Sequence, residues 1–252
     1  MNPNPQLITN NLLRRIEECW HQVKVTDIKL LSLEDDAKKL KAANPLDYYI
    51  TSGLIAGLRG DLPRVGDLYT AATHSSDSYL VHYNFSMAFA KAGGYRLALL
   101  AVIRAFQTAD LTNSVSVLNL GYSAMRYGLI KEALRMRVIL EKLQADKFNG
   151  EFLAAIPELS NLGFTNVHEK IMLVYDVLEK HRVIVHNVEL QIYNLLGEDY
   201  AEYVFEVGIE DVKHLVEYQF EADGAVAQYE IDNNLPIDSL GFRFTRQKLR
   251  LS

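Results

Sequence analysis

Three glycines, Gly60, Gly93 and Gly128, stand 33 and 35 residues apart, and their neighbourhoods match position by position. Two residues after each comes a bulky apolar side chain (Leu62, Tyr95, Ile130), five after a small one (Val65, Ala98, Ala133), and twelve after Ala72, Ala105 and Leu140. Seven residues before each stand Gly53, Ser86 and Gly121, and four before, Ala56, Phe89 and Ala124. This register predicts one antiparallel helix pair per unit. The glycine sits at the turn, where positive φ is cheap and the first helix must end. Small residues at the crossings let two backbones approach, and large ones fill the gaps so created. A single pair cannot bury its own apolar face, so about three or more have to stack.

These residues resemble the tetratricopeptide (TPR) repeat over 46–146, with units 46–78, 79–112 and 113–146. The second unit carries the pattern best, through Phe89, Gly93, Tyr95, Ala98 and Ala105. The third follows it with Gly121, Gly128, Ile130 and Ala133, and the first departs at Val65, where alanine is usual. The resemblance implies a mainly α fold, a superhelix of helix pairs whose first helices line a concave face. The inner positions then fall on Thr51, Leu54 and Leu58; Asn84, Met87 and Lys91; and Asn119, Tyr122 and Arg126. It further implies that asparagines at this register hold extended peptides. A side-chain amide can pair with peptide backbone of any sequence, and a cation adds preference for carboxylates. The expected partner-binding set is therefore Tyr83, Asn84, Met87, Lys91, Asn119, Tyr122 and Arg126, with the tyrosines and methionine supplying adaptable apolar contact.

Ahead of the repeats, residues 1–45 read as a helical cap, apolar at Leu7, Ile8, Leu12, Leu13 and Ile16 and again at Ile28, Leu30, Leu31 and Leu33. Thr26 and Ser32 are candidate helix caps. Cys19 reads as a small buried residue, not a reactive thiol. Behind the repeats, 147–181 reads as a helical extension, with a short helix interrupted at Pro157 and a longer one over Asn166–His181.

Residues 182–252 change character. Apolar and polar side chains alternate over Val188–Ile192, Tyr203–Val207 and Leu240–Phe244, which is strand spacing. Glu210–Tyr229 reads as a helix between the second and third strands, with Gly224 as a candidate break. The economical arrangement is a small α+β module, one helix across a small sheet. The formal net charge of −6 is concentrated here, because 196–235 holds eleven acids against Lys213. Glu202, Glu206, Glu210, Asp211, Glu217 and Glu221 are the expected acidic docking surface for a basic protein, since complementary charge speeds encounter and selects partners.

Phosphate-loop, HExxH and CxxC motifs are absent from the sequence, and its seven histidines are scattered. His181 and His186 are spaced to face opposite sides of a strand, so no shared metal is expected. No cofactor is expected either. Direct nucleic-acid binding is not expected, since Arg243, Arg246, Lys248 and Arg250 are the one basic cluster and equally suit the polar side of an edge strand. One cysteine, no apolar run of bilayer length and no secretory pattern at the start make the cytoplasm the expected compartment. The combined expectation is a non-enzymatic protein–protein interaction protein, with adaptor, assembly chaperone and inhibitor of a basic protein left open. The rival class is an enzyme whose site lies in the C-terminal module, using its acids with His186 or His214.

Overall fold

The computed structural model describes residues 5–20, 22, 25–143, 156–195, 198–209, 211–235 and 240–246. The protein is mainly helical with one three-stranded sheet, and it falls into two compact units, Met1–Thr108 and Ala109–Ser252. The boundary falls just after the last helix of the second repeat, so the helices of the first two repeats share a unit with the N-terminal helices.

The first unit holds α1 (Pro5–Trp20), α2 (Asp27–Lys38), α3 (Pro45–Arg59), α4 (Leu62–Ser75), α5 (Tyr79–Lys91) and α6 (Tyr95–Thr108). Starts and stops are written locally. Asn44 Oδ1 accepts from the Asp47 N–H ahead of Pro45, and Asp61 Oδ1 from the Arg64 N–H ahead of Pro63. Such caps are each worth about 1 kcal/mol. Thr26 precedes α2, but its hydroxyl makes no capping bond. Ser32 lies inside α2 instead of capping it, and its hydroxyl accepts from Arg15 at 2.9 Å. Along α2, Leu30 and Leu33 are buried while Ile28 and Leu31 face out, so four neighbouring apolar residues divide between two faces.

Helices α3 and α5 pack with almost no space between their backbones. A methyl group on Gly53 would collide with the Phe85 ring, and one on Gly57 would lie 2.8 Å from the Ala88 carbonyl oxygen. Phe85 and Phe89 then fill the gap toward α4 by packing on Tyr69, at 5.2 and 5.5 Å between ring centres.

The second unit holds α7 (Ser114–Arg126), α8 (Ile130–Lys142), α9 (Ile156–Asn161) and α10 (Val167–Lys180), then β1 (Val185–Leu195), β2 (Glu198–Val207), α11 (Val212–Asp232) and β3 (Leu240–Arg246). Strand order is β1-β2-β3, with β1 antiparallel to β2 and β3 parallel to β2. The parallel pair requires a crossover, which α11 supplies. Gly224 does not break that helix. Tyr203, Phe205, Phe242 and Phe244 form the buried face of the sheet, opposite Glu202, Glu206 and Arg243. Rings carry the core from the third hairpin into the sheet, Tyr127 on Tyr175 at 5.3 Å, Tyr175 on Phe205 at 5.4 Å and Phe205 on Phe244 at 6.0 Å.

The three repeat turns are stereochemically equivalent. Gly60, Gly93 and Gly128 all have positive φ, at 73°, 80° and 67°. After each, the next N–H reaches back to a carbonyl five residues earlier: Asp61 to Ala56 (3.0 Å), Gly94 to Phe89 (2.9 Å) and Leu129 to Ala124 (2.8 Å). This is the left-handed glycine stop that satisfies a helix's last carbonyls. The matched small positions Val65, Ala98 and Ala133 are all fully buried.

Candidate functional site

Four of the expected partner-binding residues lie on α5. Tyr83, Asn84 and Met87 are half-buried, with Tyr83 stacked on Tyr79 at 5.5 Å. The Asn84 amide nitrogen donates to the Leu80 carbonyl of its own helix at 2.7 Å. Lys91 is buried. Its ammonium donates to the Trp20 carbonyl at 2.7 Å and sits 5.8 Å from the Trp20 ring centre, tying α5 to the end of α1. At the matching register of the first repeat, Thr51 and Leu54 are buried as well.

The other three lie on α7. Asn119 and Tyr122 are half-buried, and the Ser123 hydroxyl donates to the Asn119 backbone carbonyl. The Arg126 guanidinium donates to the Tyr175 hydroxyl and to the Val185 carbonyl, both at 3.4 Å, and so joins α7 to α10 and the start of β1. Both repeat-register cations therefore serve the fold, through partners 71 residues away for Lys91 and 49 and 59 for Arg126. Of the set only Lys91 is buried; the asparagines, their aromatic and methionine neighbours and Arg126 keep part of their surface exposed.

The expected acidic surface divides between two places. Glu202 and Glu206 lie on the polar face of the sheet, where Glu202 is paired with Arg243 at 2.9 Å beside a shallow concavity that Glu206 lines with Asn187 and Gln191. Asp211, Glu217 and Glu221 lie on α11. Asp211 caps that helix by accepting from the Lys213 N–H. Glu221 pairs with Lys180 at the end of α10 and with His181, the residue after it, both at 2.7 Å, and the hydrogen bonds from these two side chains hold its carboxyl below the usual carboxylate range. Glu217 is exposed, and Glu210 lies outside the described residues.

Two polar constellations escaped the sequence reading. In the first unit the Tyr69 hydroxyl is 2.8 Å from His82 Nδ1, and His82 Nε2 is 2.6 Å from Asp77 Oδ1, with His82 buried. The order of groups resembles a nucleophile, base and orienting acid. Burial pushes the Tyr69 phenol up, however, whereas an activated nucleophile needs its proton made easier to lose. The arrangement suits a latch between α4 and α5. In the second unit Gln219 of α11 presents its amide to β3, Nε2 donating to the Phe242 carbonyl and Oε1 accepting from the Phe244 N–H, both at 2.7 Å. It occupies the place of a neighbouring strand. Its spacing gives no hint of this, because the partners lie 23 and 25 residues on.

For the rival enzyme reading, His214 is exposed, 3.6 Å from Asp211 and stacked near Tyr218, while His186 lies in β1 beside Gly208. Among the described residues, no group of three or more His, Cys, Asp or Glu is placed to hold a metal ion, and no helix is long and apolar enough to cross a membrane. No family model matches the chain, and no curated protein or solved structure is significantly similar to it.

Proposed function

We propose that this is a non-enzymatic protein–protein interaction protein. In this reading its helix pairs continue one another as a TPR-like superhelix that receives a peptide or helix, and the acidic C-terminal module provides a second contact. Adaptor, assembly chaperone and inhibitor of a basic protein are the roles that fit. The observation that carries it is the equivalence of the three turns, each with a left-handed glycine and the same returning hydrogen bond. Units with the same turn can stack to give a repeated surface, and repeat architectures recognise extended partners in that way.

Within that surface the recognition groups are Tyr83, Asn84 and Met87 on one helix and Asn119 and Tyr122 on another. Lys91 and Arg126 contribute indirectly by fixing the helix ends, so charge preference comes from the acidic module. Tagged wild-type protein and the Asn84→Ala/Asn119→Ala variant, compared by capture from cell lysate and mass spectrometry, test the proposal. The variant is expected to lose at least one specific partner while its far-UV circular dichroism is unchanged. An identical set of captured proteins would refute the groove.

A further inference from the structure

The first repeat lacks two rings that the second has. Eight and four residues before the turn glycine, the second repeat carries Phe85 and Phe89, which fill the space toward α4 by packing on Tyr69. The same two places in the third repeat hold Leu120 and Ala124, both completely buried. In the first they hold Ser52 and Ala56. There the space between α2, α3 and α4 stays open as a cavity of about 290 Å³, lined by both residues. That volume is at the lower end of the range for small-ligand sites.

The register places the lining groups. In an antiparallel pair that turns at Gly60, Arg64 stands across from Ala56, and Leu68 across from Ser52. Ala56 and Leu68 are buried and give the cavity an apolar floor. Most of the charge around it is already engaged. Arg59 Nε donates to Glu34 at 3.0 Å, Lys38 pairs with Asp35 at 2.8 Å, and Asp61 accepts from the Arg64 N–H as the cap of α4. The Arg64 guanidinium itself makes no ion pair or hydrogen bond among the described residues, and its side chain lines the cavity at the turn end. A planar guanidinium beside an apolar floor suits a carboxylate, which it meets with two parallel hydrogen bonds, carried on an apolar body. The second repeat shows the shape of that body, since it fills the equivalent space with aromatic rings from its own chain.

We propose that the cavity between α2, α3 and α4 binds a small aromatic carboxylate. The carboxylate lies on Arg64, and the ring lies over Ala56 and Leu68 toward Ser52. None of these residues belongs to the expected partner-binding set, so the site is independent of the groove.

The probe is N-acetylphenylalanine, titrated into the full chain and followed by amide chemical shifts, with the largest changes expected at Ser52, Ala56 and Arg64. It is expected to bind about tenfold more tightly than its carboxamide, which keeps the ring, and than N-acetylalanine, which keeps the carboxylate. Arg64→Gln, at an exposed position, is expected to remove the preference for acid over carboxamide with the melting temperature unchanged. Ser52→Phe/Ala56→Phe installs the rings of the second repeat and is expected to abolish binding. Should overpacking unfold that variant, Ser52→Leu, the residue of the third repeat, is expected to weaken binding about tenfold in a folded protein. A tripeptide ending in phenylalanine separates two sources of the ligand: tighter binding than N-acetylphenylalanine assigns the site to a partner's C-terminus, and equal or weaker binding assigns it to a free acid. Absence of saturable binding, equal affinities for acid and carboxamide, or an Arg64→Gln variant that kept the preference would overturn the proposal. Tighter binding of phenethylamine would give the cavity to Glu34 and Asp61 and overturn it too. Asn84→Ala/Asn119→Ala is expected to leave the affinity unchanged, so the cavity and the groove stand or fall separately.

Discussion

Replacing Gly57 by alanine sets two physical effects against each other. Alanine in a helix interior is more favourable than glycine by about 1 kcal/mol, so propensity predicts a more stable protein. The added methyl at Gly57, however, would stand 2.8 Å from the Ala88 carbonyl oxygen and 3.0 Å from its Cα, both backbone atoms of α5. No side-chain rotation relieves that contact. Helices α3 and α5 have to separate, carrying Phe85 away from Gly53, and overpacking of this kind costs about 1–3 kcal/mol. The expected net is a loss of up to about 2 kcal/mol, several degrees in melting temperature for a unit of this size. Gly66→Ala is the matched control. It lies in the interior of α4 with nothing within 4 Å of the new methyl, so the propensity gain of about 1 kcal/mol is expected in full. Urea unfolding followed by circular dichroism gives both values in one series. If Gly57→Ala were stabilised as much as Gly66→Ala, the close approach of α3 and α5 would be refuted.

Gln219→Ala is expected to destabilise the protein by about 1–3 kcal/mol, since it strips two backbone groups of β3 of their partners. The site-specific signature is faster hydrogen exchange at the Phe244 amide, and unchanged exchange there would contradict it. Lys170→Met leaves Glu230 nearly buried without its cation and is expected to cost about 3–5 kcal/mol. Lys170→Met/Glu230→Leu should recover most of that loss in thermal unfolding, and a double variant no better than the single would refute the pairing. Glu221 has its carboxyl held below the ordinary range by Lys180 and His181, so its contribution is present above the unfolded value, about 4.3, and disappears as pH falls through the lower folded value. The stability gap between wild type and Glu221→Gln should therefore be small and should close in acid; a gap that persisted unchanged into acid would exclude the linkage.

Local features of the fold were legible in the sequence because their causes are local. The glycine stops at 60, 93 and 128 follow from residues within one turn of each, and period-two alternation marked Val188–Ile192, Tyr203–Val207 and Leu240–Phe244 as strands. Features set by distant partners were not legible. The register that offered Lys91 and Arg126 as ligand-gripping cations carries no trace of the Trp20 and Val185 carbonyls that engage them. Ser32 has the chemistry of a cap, yet apolar burial at Leu30 and Leu33 draws the helix through it. The unit boundary after Thr108 likewise depends on which helices pack together, and the repeat pattern runs across it without change. The acidic character of the C-terminal module was readable from counts. Its division between the polar sheet face and α11, and the exposure of Phe220 and Ile231, required the tertiary arrangement.

The Gln219 amide has a bearing on how this sheet could grow. By standing where another strand would hydrogen-bond, it seals the middle of β3 with a group that belongs to the same molecule. Any chain adding to that side must first evict it, so β3 does not present the uninterrupted row of free backbone groups on which sheets extend.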